Sequence, residues 1–318
     1  MKMKWKKIIR TLFLLIGAVI LLSFILHQGI TLYEQKKYQA PGQLVEVDGR
    51  SMHVYTKGEG EHTILLLSGL GTAAPVLDFE PLVNELAKKH KVVVAEPFGY
   101  GWSDGTNKAR TVENMVEEVR TALKKAGIQG PYVLMPHSVS GVYSMYYANA
   151  YPDEIEAIIG IDPTLPKAFD YFNEKAPSVP SFVRAASVLG AARWAAVFTP
   201  EDFLPIAGEG TYSEENLNMT KRIAAWKSSN KNVIDEANEL NRNAEKTEVM
   251  TFPPHVPVMI FQAMDKDQKE KDEKIKAFYG DQMSPAEEHK LVSLTGHHYL
   301  HWTKSAEISE YTTEFLKK

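Results

Sequence analysis

Tyr132-Val-Leu-Met-Pro-His-Ser-Val-Ser-Gly141 joins a short apolar run to a serine, and a segment with helical spacing follows at once. Such a run is typical of a strand that is buried on both faces. A serine at the corner between this strand and a helix projects its hydroxyl above the sheet edge, where the helix N-terminus supplies N–H donors. The stretch therefore predicts an α/β architecture with Ser138 as a candidate nucleophile.

The residues that flank this serine leave a second interpretation open. A nucleophile turn needs small residues two positions before and two positions after the serine. Pro136 and Ser140 stand at these positions, where the usual pattern has glycine. Taken by itself, the turn favours a Ser138 that only caps the following helix, and the other segments of the chain reverse this preference.

Other short apolar runs recur along the chain and alternate with helical patterns. The strand-like runs are 44–47, 52–55, 63–67, 91–95, 132–135, 157–161, 258–261 and 289–294, and the helical patterns include 78–89, 111–126, 142–150 and 305–317. This alternation predicts a mostly parallel sheet with right-handed crossovers. Between about Pro163 and Pro254 the alternation gives way to helix-like sequence, which indicates an insertion between two strands.

Four segments resemble, in chain order, motifs of the α/β-hydrolase superfamily. They are Leu65-Leu-Leu-Ser-Gly-Leu-Gly71, Glu96-Pro-Phe-Gly-Tyr-Gly-Trp-Ser-Asp104, the turn at Ser138, and Gly296-His-His-Tyr-Leu-His301. The resemblance covers about residues 44–316. It implies a mostly parallel eight-stranded sheet with helices on both faces and an inserted helical cap.

The N-terminus differs from this body. Lys2, Lys4, Lys6, Lys7 and Arg10 precede Thr11–Leu26, which carries no charge. A bilayer core needs about 20 mostly apolar helical residues. The segment is shorter than this, so we expect it to span the core together with residues that flank it. The leading cations favour a cytoplasmic N-terminus and an extracytoplasmic body, as in a single-pass cell-membrane protein. A cleaved signal peptide is the alternative, but no A-x-A-like site follows Leu26.

The expected organisation thus has four parts. We expect a basic start and transmembrane anchor at 1–33, a linker at 34–42, a hydrolase core at 43–163 and 255–318, and a helical cap at 164–254.

The resemblance also implies a Ser-acid-His triad in that chain order. It assigns Ser138 as the nucleophile and His298 as the base, with His297 as the alternative and His301 as a structural partner. The implied acid follows the strand 258–261, where Asp265 is favoured and Asp267 is the alternative. Asp162, after the preceding strand, is a more distant candidate.

The implied oxyanion hole consists of two main-chain N–H groups, those of Leu70 and Val139. Each such donor is worth roughly 3 kcal/mol of transition-state stabilisation. Ser68 replaces the histidine that is usual in the family's loop, and this replacement leaves the main-chain donors in place.

Composition narrows the function further. The net charge is −4, and removing the five N-terminal cations leaves 31 − 40 = −9, so the body has no basic patch for nucleic acid. With no cysteine, the chain has no thiol nucleophile and no Cys-ligated metal.

We therefore expect a hydrolase that cleaves a carboxylic ester or related acyl bond through an acyl-enzyme, without metal or cofactor. The expected partners are a small, apolar acyl substrate and the membrane. The alternatives are an aminopeptidase-like amide hydrolase and a non-catalytic binding or sensing protein of the same fold.

Overall fold

The computed structural model describes residues 2–265 and 267–317. Met1, Lys266 and Lys318 belong to the expected parts of the chain but lie outside the described residues. The strands of the described residues form one eight-stranded sheet. The strands are β1 Gln43–Val47, β2 Arg50–Lys57, β3 Thr63–Leu67, β4 Lys91–Glu96, β5 Tyr132–Pro136, β6 Ile155–Ile161, β7 Val258–Met264 and β8 His289–Thr295.

Helices connect and cover these strands. They are α1 Lys2–Lys37, α2 Pro75–Asp78, α3 Glu80–Leu86, α4 Val112–Lys125, α5 Ser140–Ala150, α6 Ala168–Phe172, α7 Ser181–Val188, α8 Ala191–Phe198, α9 Glu214–Lys227, α10 Lys231–Thr247, α11 Lys269–Met283 and α12 Ser305–Phe315, with 3₁₀ turns at Pro152–Glu154, Pro200–Phe203 and Leu300–Trp302. The helices α6 to α10 lie between β6 and β7, and we call this part of the chain the helical insertion.

The strand order is β1-β2-β4-β3-β5-β6-β7-β8. The pairs β1–β2 and β2–β4 are antiparallel, and the pairs from β4–β3 to β7–β8 are parallel. The predicted fold class, a mostly parallel eight-stranded α/β-hydrolase sheet with an apolar N-terminal helix, is confirmed. Because β5, β6 and β7 are neighbours and parallel, the residues that follow their carboxyl ends meet at one edge.

Side chains that alternate along the central strands enter two cores, one on each face of the sheet. Leu65 and Leu134 contribute to one core, and Leu66 and Val133 contribute to the other. Each of these side chains is fully buried. This two-sided burial is the reason that β3 and β5 read as continuous apolar runs.

The structure differs from the helical pattern expected at 78–89. The segment consists of two helices, α2 and α3, which are separated at Phe79. Pro81 follows this break and has no N–H to continue the hydrogen bonding of a single helix.

The structure also differs at the expected linker 34–42. Helix α1 continues through its polar end to Lys37. Glu34 is buried there and forms ion pairs with Arg193 and Arg222 of the helical insertion. Residues 34–37 were expected in the linker. The ion pairs of Glu34 instead hold them in a helical conformation.

Candidate active site

Ser138 lies in the turn between β5 and α5 with a φ of 53°. This left-handed conformation is rare for a residue other than glycine, and strained backbone of this kind clusters at functional sites. The Ser138 carbonyl accepts hydrogen bonds from the N–H groups of Gly141 and Thr164, at 2.9 and 2.8 Å. The turn is therefore fixed from both sides.

The loop after β3 approaches this turn closely. A Cβ atom on Gly69 would lie 3.0 Å from the Ser138 Cβ, so a glycine permits the approach. The Ser140 hydroxyl donates to the Ser68 carbonyl and ties the loop to α5. Within the described residues, neither the Leu70 N–H nor the Val139 N–H donates a hydrogen bond. Two main-chain donors beside the serine are thus available to a ligand.

His298 lies in the turn after β8 and contacts a carboxylate. Its Nδ1 is 2.6 Å from Oδ2 of Asp162, the residue that follows β6. Asp162 is mostly buried, whereas the His298 side chain is 40% exposed. An imidazole that is held at Nδ1 and open to solvent can present Nε2 to a reacting group.

The backbone around Asp162 orients its carboxylate. Asp162 has a φ of 42°, a second left-handed residue at this edge of the sheet. Its Oδ1 accepts a hydrogen bond from the Ala263 N–H of β7 at 3.0 Å. The Tyr279 hydroxyl lies 3.4 Å from the same oxygen and donates to the adjacent Pro163 carbonyl at 2.9 Å. Burial, followed by the nearby Asp162 carboxylate, raises the pKa of Tyr279 well above its usual value, so this hydroxyl stays protonated and donates.

The carboxylate at His298 is thus not the one favoured from the sequence. Asp265 is exposed and accepts hydrogen bonds from the Asp267 N–H and the Gln268 side chain, at 3.1 and 2.7 Å. Asp267, the alternative, is also exposed. Both residues lie in the turn before α11, where Asp265 stabilises the local backbone. In the sheet, β6 is the neighbour of β5, so Asp162 follows the strand next to the serine turn.

The other two histidines of the Gly296–His301 segment have different surroundings. The ring of His297 is exposed and stacks on Tyr299 and Trp302, with ring centroids 5.6 and 5.7 Å apart. His301 is buried, and its Nε2 lies 2.6 Å from Oδ2 of Asp78. Among the three, His298 is the histidine that contacts Asp162.

His137 is the packing link between the serine and the histidine segment. Its ring is fully buried, 4.8 Å from the ring centroids of both His298 and His301. Burial, with these two imidazoles as smaller contributions, lowers the pKa of His137 well below its usual value, so the ring is neutral. Its Nε2 lies 3.3 Å from the His298 carbonyl, which accepts a hydrogen bond from the tautomer that carries the proton on Nε2.

No hydrogen bond joins Ser138 and His298 directly in the part of the chain that the structure describes. Catalytic hydrogen bonds are often long before substrate binds and tighten in the complex. The two residues are neighbours through His137, whose backbone precedes the serine and whose ring packs against His298.

A buried polar chain connects the loop after β3 to the helical insertion. The Gly71 N–H donates to the Tyr100 hydroxyl at 3.3 Å, and this hydroxyl donates to Glu236 of α10 at 2.7 Å. The Tyr143 hydroxyl of α5 donates to the other Glu236 oxygen at 2.8 Å. Burial raises the pKa of Glu236, although the two hydroxyl donors oppose this effect.

A cleft of about 210 Å³ opens beside His298. The apolar part of its wall consists of Phe169 and Phe172 from the helical insertion and of Ile275 and Phe278 from α11. This arrangement can accept an apolar group next to the imidazole.

Two parts of the site were poorly predicted from the sequence. Asp162 was the more distant candidate, although its place directly after a core strand is the signal that identifies it. Glu236 lies within a polar, amphipathic helix, and nothing in its local sequence distinguishes it from solvent-exposed glutamates such as Glu245. Its contact with Tyr100 joins residues that are 136 positions apart.

Comparisons with known proteins agree with this fold. The family described as the alpha/beta hydrolase fold matches residues 62–305. The uncharacterized protein YbdG of Bacillus subtilis (strain 168) is 31% identical over 333 aligned positions, which cover 100% of this chain and 99% of the relative. Serine hydrolase BPHL of Mus musculus is 32% identical over 118 residues, 36% of this chain and 40% of that protein.

Among solved structures, a laboratory-evolved variant of potato epoxide hydrolase StEH1 superimposes with a TM-score of 0.66 and 17% identity. The superposition covers 88% of this chain and 99% of the potato enzyme. At this identity the likeness concerns the fold.

Proposed function

Because this chain belongs to the α/β-hydrolase fold family, we propose that it is a serine hydrolase in which Ser138, His298 and Asp162 form the triad. The observation that carries the proposal is the pairing of His298 with a mostly buried, oriented Asp162 at the sheet edge where the strained Ser138 turn lies. The relationship to a serine hydrolase over part of the chain supports the same reaction class.

In the proposed mechanism the Ser138 hydroxyl attacks a carbonyl carbon, and His298 Nε2 takes the hydroxyl proton. Asp162 holds the imidazole in the tautomer with a proton on Nδ1 and stabilises the imidazolium. The tetrahedral oxyanion accepts hydrogen bonds from the free N–H groups of Leu70 and Val139. His298 then gives the proton to the leaving group as its bond to the carbonyl carbon breaks, which forms the acyl-enzyme. The same imidazole activates a water that attacks the acyl carbon, and the bond to the Ser138 oxygen breaks to release the acid and restore the serine.

The substrate that we propose is a small carboxylic ester with an apolar acyl group. The cleft beside His298 supports this choice, because Phe169, Phe172 and Phe278 offer a surface for an apolar acyl group. Polar side chains, among them Thr164, Glu174 and Lys271, line the rest of the cleft. An amide of the same shape fits the cleft equally well and requires better protonation of its leaving group.

We further propose that α1 anchors the protein in the cell membrane, with the N-terminus cytoplasmic and the body extracytoplasmic. The helix is long and apolar enough to cross a bilayer. Its second half packs on the helical insertion through Ser23 and Glu34, which supports retention of the helix over cleavage as a signal sequence. A protease that digests the body in intact cells supports this topology, and resistance in intact cells with digestion after lysis contradicts it.

The test of the activity is hydrolysis of p-nitrophenyl esters from acetate to decanoate, beside the matched anilides, by the full chain in detergent. Ser138→Ala abolishes turnover, and Ser284→Ala, which removes an exposed serine hydroxyl, leaves it unchanged. Turnover that survives in S138A contradicts the assignment of the nucleophile. A folded wild-type chain that hydrolyses none of these compounds favours the non-catalytic binding protein.

A further inference from the structure

Large apolar side chains are exposed on one part of the helical insertion. They lie on α7, on α8 and in the segment that follows α8, and we call them the apolar face: Phe182, Val188, Trp194, Val197, Phe198 and Ile206. Phe182 and Phe198 are 71% and 76% exposed. A concentration of exposed apolar side chains in one part of a soluble body indicates an interaction surface.

We call residues 176–200, which contain α7 and α8, the hairpin. Its sequence resembles an element that lies on a membrane surface. Residues 176–200 contain no acidic residue and no lysine, and Arg184 and Arg193 are their charged residues. Amphipathic helices whose charged residues are basic lie in the plane of the bilayer interface. Their apolar side chains insert between the lipids.

The contacts of α1 fix the position of this hairpin relative to the membrane-spanning helix. The Ser23 hydroxyl donates to the Leu189 carbonyl at 2.8 Å, between α7 and α8. The Trp194 indole N–H donates to the Ser23 hydroxyl at 2.7 Å. The hairpin is therefore level with Ser23 along α1.

Ser23 itself lies within the apolar part of α1. The stretch from Thr11 to Tyr33 carries no charge. At about 1.5 Å per residue, a hydrocarbon core of about 30 Å that begins at Thr11 extends to about residue 30. Ser23 then lies in the second half of the bilayer, so the side chains that contact it are at the depth of lipid.

The charged residue of α8 points toward the polar end of α1. The Arg193 guanidinium contacts Thr31 at 2.9 Å and Glu34 at 2.8 Å. A long side chain of this kind places its charge at the interface while its stem lies along apolar surface. Arg193 thus marks the level at which the hairpin leaves the hydrocarbon.

We propose that the apolar face inserts into the outer leaflet of the bilayer that α1 spans. The inference rests on the proposed membrane anchor. The occupant of the surface is lipid, because the hairpin contacts the spanning helix at lipid depth and exposes large apolar side chains. The body is then held against the membrane by two elements, and its orientation on the membrane is fixed.

The absence of cysteine from the chain allows a direct test with single labels. We would prepare the full chain as F182C, F198C, L15C and V249C, label each with an NBD fluorophore, and reconstitute it in phosphatidylethanolamine–phosphatidylglycerol vesicles. Quenching by lipids with doxyl groups on their acyl chains reports the contact with hydrocarbon. Val249 is the matched control, an apolar side chain that is 88% exposed and lies outside the hairpin.

We expect blue-shifted emission and strong lipid quenching at positions 182 and 198, as at position 15, and neither effect at 249. Quenching at 15 without quenching at 182 and 198 overturns the inserted hairpin and leaves the anchor intact. No quenching at 15 overturns the anchor and, with it, the inference. A blue shift at 182 and 198 without lipid quenching means that protein, such as a second copy, covers the face, and this result also overturns the proposal.

Discussion

Oδ2 of Asp162 lies 2.6 Å from Nδ1 of His298, although Asp162 follows β6 and His298 follows β8. The strand β7 lies between them in the sheet and contributes the Ala263 N–H that orients the carboxylate. The contact joins two turns that are 136 residues apart. It supplies the acid–base pair on which the proposed chemistry depends.

The first prediction separates the two candidate acids. Asp162→Asn keeps the size of the side chain and removes the charge that holds the His298 tautomer, so kcat falls by about 10³- to 10⁴-fold. Asp265→Asn is the matched control and leaves kcat unchanged, because Asp265 stabilises only an exposed turn. Steady-state hydrolysis of one ester measures both. An equal loss in the two variants contradicts the assignment.

The second prediction separates the two histidines. His298→Gln removes the general base and lowers kcat by at least about 10³-fold. His297→Gln loses only ring stacking on Tyr299 and Trp302 at the surface and keeps most of the activity. Single-turnover kinetics checks that the loss in H298Q lies in acylation. A more damaging H297Q variant requires a different base.

How far the sequence predicted the fold can be argued from particular segments. The strand β5 was recognised because Val133 and Leu134 enter opposite cores, which makes the strand apolar throughout. The break at Phe79 was not expected, since the apolar spacing of 78–89 continues across it and the effect of Pro81 depends on how the chain packs. Glu34 was expected in a linker, because its partner Arg193 is 159 residues away.

The site was predictable where the geometry is local and less so where it is not. Ser138, Leu70 and Val139 belong to short turns that directly follow strands, so their positions could be derived from the motifs. The choice among Asp162, Asp265 and Asp267 depends on which strand end lies nearest to His298. That distance is a property of the whole sheet and of its twist, which the sequence pattern does not specify.

The third prediction concerns the polar chain behind the oxyanion loop. Tyr100→Phe leaves the Gly71 N–H and one Glu236 oxygen without partners, which costs about 1–3 kcal/mol of stability. It also frees the loop that carries Leu70, so kcat falls by roughly tenfold. Tyr143→Phe removes the other hydroxyl donor to Glu236 but does not touch the loop.

Thermal unfolding and ester hydrolysis, measured on both variants, test this role. We expect similar losses of stability and a loss of kcat in Y100F alone. If kcat falls equally in Y143F, the effect comes from Glu236 or from the general stability of the insertion, and the positioning role of Tyr100 is wrong.

The fourth prediction concerns the pH dependence of stability. Burial, with smaller contributions from His62 and Lys89, lowers the pKa of His90 to about 4. In the unfolded chain the pKa of a histidine is about 6.5. Between these two values the unfolded chain binds a proton that the folded protein does not, so stability falls as the pH falls, by at most about 1.4 kcal/mol per pH unit.

His90→Gln keeps a polar partner for Thr313, which the His90 Nε2 contacts at 3.0 Å, and removes this proton uptake. We expect a flatter loss of stability between pH 6.5 and 4 in H90Q, measured by denaturant unfolding of the full chain in detergent. H255Q, which removes an exposed histidine, is the matched control variant. An unchanged slope in H90Q would falsify the prediction.

The most direct test of the proposed chemistry is covalent capture of the nucleophile. The full chain is treated with a fluorophosphonate, and the modified peptide is identified by mass spectrometry. We expect one adduct per chain on Ser138, formed much more slowly in D162N and H298Q and at an unchanged rate in D265N. An adduct on a different serine, or a folded protein that remains unmodified, contradicts the proposed chemistry.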